Sequence, residues 1–206
     1  MIGLIAQGIG FGFAAGTTPG PLQSYLISTT LSSGWRRGMM VVFSPLVTDA
    51  PIILLMTFLL RQLPEPLPRV LQFAGGLFVL WLVWGMLREF RAGKLKIGTD
   101  TDIEDGAGRR TLGQAVVMNA LSPGPYIFWG SVTGPLLVEA LESSVLHAAA
   151  FMLAFYGTFL GFMAVMVLIF DRMRRLDPKI TQAILLLAIV VLGLLGILLI
   201  FQSVLG

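Results

Sequence analysis

Two copies of one short motif carry the groups best suited to chemistry. Thr18-Pro19-Gly20-Pro21 and Ser122-Pro123-Gly124-Pro125 each place a hydroxyl residue before Pro-Gly-Pro, inside a stretch that is otherwise apolar. Proline removes a backbone donor and crowds the carbonyl four residues back, and glycine adds backbone freedom. Thr18 and Ser122 suit the capping position of a helix N-terminus, and Pro19 and Pro123 suit the first helical position. Each motif is therefore expected to end one half-helix and begin another, leaving N–H groups with partial positive charge inside the chain's apolar region. A carboxylate fits between two such ends. The carbonyls freed upstream, including Ala15, Thr17, Asn119 and Leu121, would suit an ammonium group or a cation. Plain proline kinks are the alternative, since membrane helices tolerate proline. Two breaks at matching places in two halves favour a binding site.

Asp49 is the second feature. It lies about 18 Å along a helix from Arg37, near the middle of a membrane core. An acid there is costly and points to function, as a proton carrier or a partner for a substrate amine. A protonated acid bonded to a neighbouring helix is the structural alternative. Gln23, just after the first motif, and Asn119, one turn before the second, are polar candidates for the same cavity, with interhelical hydrogen bonding as their other use.

These residues need helices to position them. The chain has 206 residues, 56% of them hydrophobic and only 12% charged, with a mean hydropathy of +0.87. Charge is absent from Met1 to Trp35, and Asp49 is the only charge between Gly38 and Leu60. Val70 to Leu87, Thr111 to Val138, Ser143 to Phe170 and Ile180 to Gly206 carry none. Each run has the length of a transmembrane helix. The expected fold is an all-α integral membrane protein with six transmembrane helices. Helix 1 lies within Ile2 to Ser33, helix 2 over Met39 to Leu60, and helix 3 over Val70 to Leu87. Helix 4 covers Thr111 to Leu137, helix 5 ends near Phe170, and helix 6 starts at Ile180. Helices 1 and 4 are broken at Pro-Gly-Pro.

Gly8, Gly12, Gly16 and Gly20 recur at four-residue spacing, a stripe that lets another backbone approach. Packing within the bundle is the favoured use, and a homodimer contact is the other. The segment Phe90 to Arg110 is the one long polar loop. Its acids, Asp100, Asp102, Glu104 and Asp105, have some of the spacing of a calcium loop. The glycine is displaced to Gly106, however, and Thr111 stands at the closing position, so a solvated loop is the favoured reading over a cation site at 99–105.

With six crossings, the loops after helices 1, 3 and 5 share one side. They hold all of the 14 Lys and Arg residues except Arg61 and Arg69. Basic loops stay in the cytoplasm, so both termini are expected outside. This topology also accounts for the net charge of +3 without invoking nucleic acid. Three-helix halves insert in opposite directions, so residues 1–90 and 111–206 form an inverted repeat, joined by a cytoplasmic loop over 91–110.

The motifs resemble the LysE/RhtB family of amino-acid exporters. Thr18-Pro19-Gly20-Pro21, the turn Gly34-Trp35-Arg36-Arg37-Gly38, Asp49, the run from Gly75 to Gly85 and Asn119-Ala120-Leu121-Ser122-Pro123 carry the likeness. It implies a bacterial cytoplasmic (inner) membrane protein that exports amino acids or related metabolites on an ion gradient, with roles for Pro19, Gly20, Pro21 and Asp49. The chain departs from the family where Ser122-Pro123-Gly124 replaces the usual Asn-Pro-Lys. Ser44-Pro45 and Pro51 also flank Asp49 where glycines are usual, and are expected to break helix 2 as well.

Two other classes compete. One is inorganic-ion or metal efflux, disfavoured for soft metals by one histidine and no cysteine. The other is a lipid-handling or scaffold protein, whose centre would be packed shut around Asp49. No enzyme motif and no cofactor motif stand out. The expected partners are a small-molecule substrate and membrane lipid.

Overall fold

The computed structural model describes residues 1–60, 66–91, 105–174 and 178–205. The acidic stretch 99–104 and the basic residues Arg61, Lys94, Lys96 and Arg175 lie outside them. Among the described residues the chain is helical throughout, without a strand. In chain order the elements are α1 (Ile2–Thr17), α2 (Pro21–Ser33), α3 (Trp35–Val42), α4 (Ser44–Ile53), a π-helical segment π1 (Leu54–Leu60) and α5 (Pro66–Arg91). Then come α6 (Asp105–Leu121), α7 (Pro123–Phe128), a second π segment π2 (Trp129–Thr133), α8 (Gly134–Ser143), α9 (Val145–Met173) and α10 (Pro178–Leu205).

Among the described residues four stretches are long and apolar enough to cross a membrane: Trp35–Thr57, Arg69–Arg88, Val145–Met173 and Lys179–Val204. The stretches around the two Pro-Gly-Pro motifs are not single rods, because each is interrupted. Helices outrun the apolar runs at several ends. α5 continues to Arg91 and α6 begins at Asp105, earlier than Thr111. The acidic connector before α9 shrinks to Ser144, whose hydroxyl accepts the His147 N–H at 3.2 Å and lies 2.7 Å from His147 Nδ1. The only histidine therefore closes a helix start.

Packing follows the small residues. α1 lies along α9, and α5 along α10. A Cβ on Gly8 would come within 2.7 Å of the Phe151 carbonyl, one on Gly12 would collide with the Phe155 carbonyl, and one on Gly16 would touch the Phe162 ring. The glycine stripe is thus taken up within the chain, against α9. α2 packs on α3, α9, α10 and α6, α4 on α6, α3 on α9, α8 on α9 and π1, and α5 on α6 and α7. At the turn between α2 and α3, Gly34 has φ 90°, a left-handed conformation that favours glycine.

The stripe gives a clean contrast on one helix. Gly12→Val is expected to overpack the α1/α9 contact and cost about 1–3 kcal/mol, read as a lower melting temperature of the detergent-purified protein. Gly10→Val, whose Cβ meets nothing within 4 Å, is expected to leave the melting temperature unchanged.

Candidate functional site

The first motif interrupts its helix over three residues. Thr18 is extended (φ −67°, ψ 117°) and closes α1, and its hydroxyl bonds the Ala14 carbonyl at 2.6 Å. Gly20 (φ −165°, ψ 177°) stands at the cap of α2, and Pro21 opens the helix. This corrects the sequence expectation by two residues. Thr18 was expected to cap the second half-helix, but its hydroxyl is spent on the end of the first. In the second motif Ser122 is extended (φ −82°, ψ 133°) and Pro123 opens α7, as the residue types suggest, though the Ser122 side chain makes no capping bond.

A third interruption falls at Phe43 (φ −84°, ψ −7°), between α3 and α4, with Pro45 in the first turn of α4. Pro51 stays inside α4, and the helix then widens into π1. Helix 2 is therefore broken as Ser44-Pro45 suggests, but Pro51 does not end it.

The interruptions meet around one cavity of about 290 Å³, close to the lower size of small-molecule sites. Thr18, Pro19, Gly20, Pro21, Gln23, Asp49, Asn119, Ser122, Gly124 and Pro125 all line it. Pro123 does not. It is buried at the start of α7, where its role is to begin the helix. Pro45, Phe128, Trp129, Phe155 and Phe159 complete much of the wall.

Asp49 is only 4% exposed and is held by donors from several elements. Oδ2 accepts from the Tyr156 hydroxyl of α9 at 3.0 Å, and Oδ1 from Asn119 Nδ2 of α6 at 3.3 Å. The Trp129 indole N–H at the start of π2 is a further donor. Thr48 Oγ1 lies 3.4 Å from Oδ1 but 3.2 Å from the Ser44 carbonyl, and it accepts from Asn119 Nδ2 at 2.5 Å. A hydroxyl has one proton to give, so Thr48 mainly steadies Asn119. No cationic side chain pairs with Asp49 among the described residues.

The freed carbonyls are less available than the sequence suggests. Gln23 Nε2 donates to Ala15 at 3.3 Å, the Ser122 N–H to Asn119 at 3.2 Å, and the Tyr126 hydroxyl to Ala120 at 2.9 Å. The first-turn amides of α2 retain no intrahelical partner. Among the described residues no three His, Cys, Asp or Glu side chains converge.

Reasoning from sequence missed Tyr156 and Trp129. The only available signal was a phenol in the apolar run Val145 to Phe170 and an indole one turn beyond Pro125. Neither stands out where aromatics are common.

Interrupted helices around a mainly apolar cavity with a few polar groups, in a chain of membrane-length apolar segments, define a helical membrane protein. The family model for the LysE type translocator matches residues 13–203, and the chain belongs to that family. It is accordingly a membrane transport protein for small molecules, and the family consists of transporters rather than enzymes. No curated protein and no solved structure matches the chain.

The network around Asp49 has a measurable signature. Asp49→Ala orphans the Tyr156 and Trp129 donors and is expected to cost about 2–4 kcal/mol, with Tyr156→Phe costing about 1 kcal/mol. In a thermal-unfolding double-mutant cycle, adding Tyr156→Phe to Asp49→Ala is expected to cost nothing more.

Proposed function

We propose that the chain is a secondary exporter of amino acids or related small zwitterions, with the cavity at Asp49 as its transport site. One observation carries the reading: ten residues chosen for their chemistry, from both motifs and helix 2, line the same cavity. The substrate ammonium group takes the Asp49 carboxylate, displacing the long Asn119 contact. The substrate carboxylate faces the open amides at the start of α2. The side chain lies against Phe128, Phe155 and Phe159. Asp49 also carries the coupling proton.

The halves are an inverted repeat over 1–90 and 111–206, and the packing pairs support it. Number the apolar stretches 1 to 6 and exchange 1 with 4, 2 with 5, and 3 with 6. The pair 1–5 (α1 on α9) becomes 4–2 (α6 on α4). The pair 1–6 (α2 on α10) becomes 4–3 (α6 on α5), and 1–2 (α2 on α3) becomes 4–5 (α8 on α9). The pairs 1–4, 2–5 and 3–6 map onto themselves. All are present among the chain's helix contacts, though unequal in extent. Rocking one half against the other then exposes the cavity alternately to each side of a bacterial cytoplasmic membrane. Metal efflux is the weaker reading, since among the described residues the cavity lining offers a single acid.

Proteoliposomes loaded with single amino acids and given a pH gradient test the substrate class. Export of at least one amino acid is expected, and Asp49→Asn is expected to weaken it by about thirtyfold or more, the effect of losing one partner of a buried charge pair. Gly20→Leu should block export by filling the cavity. Export at the normal rate in both variants removes the site assignment, whatever the substrate.

The absence of cysteine makes the topology directly testable. In intact cells, a single cysteine at Met1 or at Gly206 should react with an impermeant maleimide. One at Arg36 should react only after the membrane is opened.

A further inference from the structure

A second cavity, of about 400 Å³, lies at the end of the molecule where the basic residues gather. Arg37 from the start of α3, Arg88 from the end of α5 and Arg110 from the start of α6 all line it. Among the described residues no lining residue is acidic. Arg88 and Arg110 are exposed and Arg37 is half-buried. Two buried polar atoms of lining residues lack a partner. Thr29 is 5% exposed and its Oγ1 makes no hydrogen bond, and neither does the buried Nε of Arg37, although Nη1 of that residue reaches Ser33 Oγ at 3.3 Å. A buried hydroxyl and guanidinium N–H without acceptors cost free energy, so the polar wall beneath the cavity surface is incompletely satisfied.

The rest of the wall says what chemistry the cavity fits. Trp81 and Trp84 are 56% and 72% exposed on α5, as indoles are at a headgroup layer. Leu185 and Ile189 of α10 form an apolar part of the lining. The cavity thus combines a triply cationic rim with apolar and indole walls, the form of a basic pocket between membrane helices that holds an anionic headgroup.

We propose that this pocket binds an anionic oxyacid group, phosphate or carboxylate, through Arg37, Arg88 and Arg110. It is distinct from the cavity at Asp49, and the inference stands independently of the transport reading. The group has two sources, the headgroup of an anionic phospholipid or a soluble anion.

Native mass spectrometry of the purified full chain distinguishes them, with phosphatidylglycerol and phosphatidylcholine of the same acyl chains as probes. Retention of phosphatidylglycerol over phosphatidylcholine is expected. Arg88→Gln with Arg110→Gln should weaken it roughly thirtyfold, and Arg36→Gln, on the same face but outside the pocket, should leave it unchanged. Arg37→Gln should act in the same direction. Because Arg88 and Arg110 are exposed, their pair remains informative if the Arg37 variant does not fold.

The soluble arm uses the fluorescence of Trp81 and Trp84, titrated with sodium phosphate or sodium glutamate against sodium chloride at equal ionic strength. A response lost in the Arg88/Arg110 double variant, without lipid selectivity, supports the site and assigns it to a soluble anion. The proposal is overturned if neither probe shows selectivity, or if the selectivity survives the double variant.

Discussion

A carboxylate far from bulk water must be met by donors, and the centre of this structure is arranged to supply them. Moving Asp49 into a membrane core without partners would cost several kcal/mol. Its donors arrive from different elements: Asn119 from α6, Trp129 from π2 and Tyr156 from α9. Regular helices leave little freedom to aim so many groups at one atom pair. The interruptions provide it. Asn119 sits just before the break at Ser122, and its carbonyl accepts the Ser122 N–H, so the turn that ends α6 also fixes the amide that meets Asp49. Trp129 begins a π segment in which the Gly134 N–H reaches back to the Trp129 carbonyl. A Cβ on Gly134 would collide with that carbonyl, so glycine is required for the widened turn that sets the indole's position. Segments of this kind recur at functional sites.

The two Pro-Gly-Pro copies share a sequence but not a structure, and the difference sets the polarity of the cavity. In the first, the Thr18 hydroxyl satisfies Ala14, α1 ends cleanly, and α2 waits until Pro21. Leu22 and Gln23 then open the new helix with free amides. In the second, the helix restarts at once at Pro123, so Pro123 and Pro125 both fall in its first turn. Neither has an N–H. Gly124 alone donates among the first three positions of α7. The electropositive end at the cavity therefore belongs chiefly to α2, and the symmetric pair of helix ends suggested by the motif becomes one strong end and one weak end.

Much of this was legible because it rests on backbone chemistry and on charge. Proline and glycine announce interruptions, and an isolated acid in an apolar run announces a buried site, so Pro19 to Pro21, Asp49, Asn119 and Ser122 to Pro125 could be selected from sequence. The apolar runs located the helices to within their charged flanks. What stayed hidden depended on tertiary partners. Thr18 has the residue type of an N-terminal cap, and its real role follows from the nearby Ala14 carbonyl. Tyr156 and Trp129 differ from other aromatics only in what their polar atoms face, which no local pattern encodes. Likewise Gly8, Gly12 and Gly16 declare a close approach without naming the partner, and only the packing shows that it is α9.

The aromatic residues one turn beyond each motif extend this argument to gating. Tyr25 follows Pro21 by the same interval as Trp129 follows Pro125. Tyr25 is 4% exposed, lines the arginine-rimmed cavity, and bonds Gln114 Oε1 at 2.8 Å, tying α2 to α6 on that side of the central site. Trp129 is 1% exposed and bonds Asp49, with Phe128, Phe155 and Tyr156 packed around it. In the inverted repeat proposed above the two half-helices run in opposite directions, which would put these equivalent aromatics on opposite sides of the central cavity. One is held by the Gln114 amide of α6, the other by Asp49 itself. In the proposed mechanism a substrate ammonium or a proton on Asp49 weakens the donor contacts of that carboxylate, Asn119 first and Trp129 with it, and leaves the Tyr25 bond untouched. On that reading binding is coupled to one closure and not the other, the asymmetry two gates need in order to open in turn.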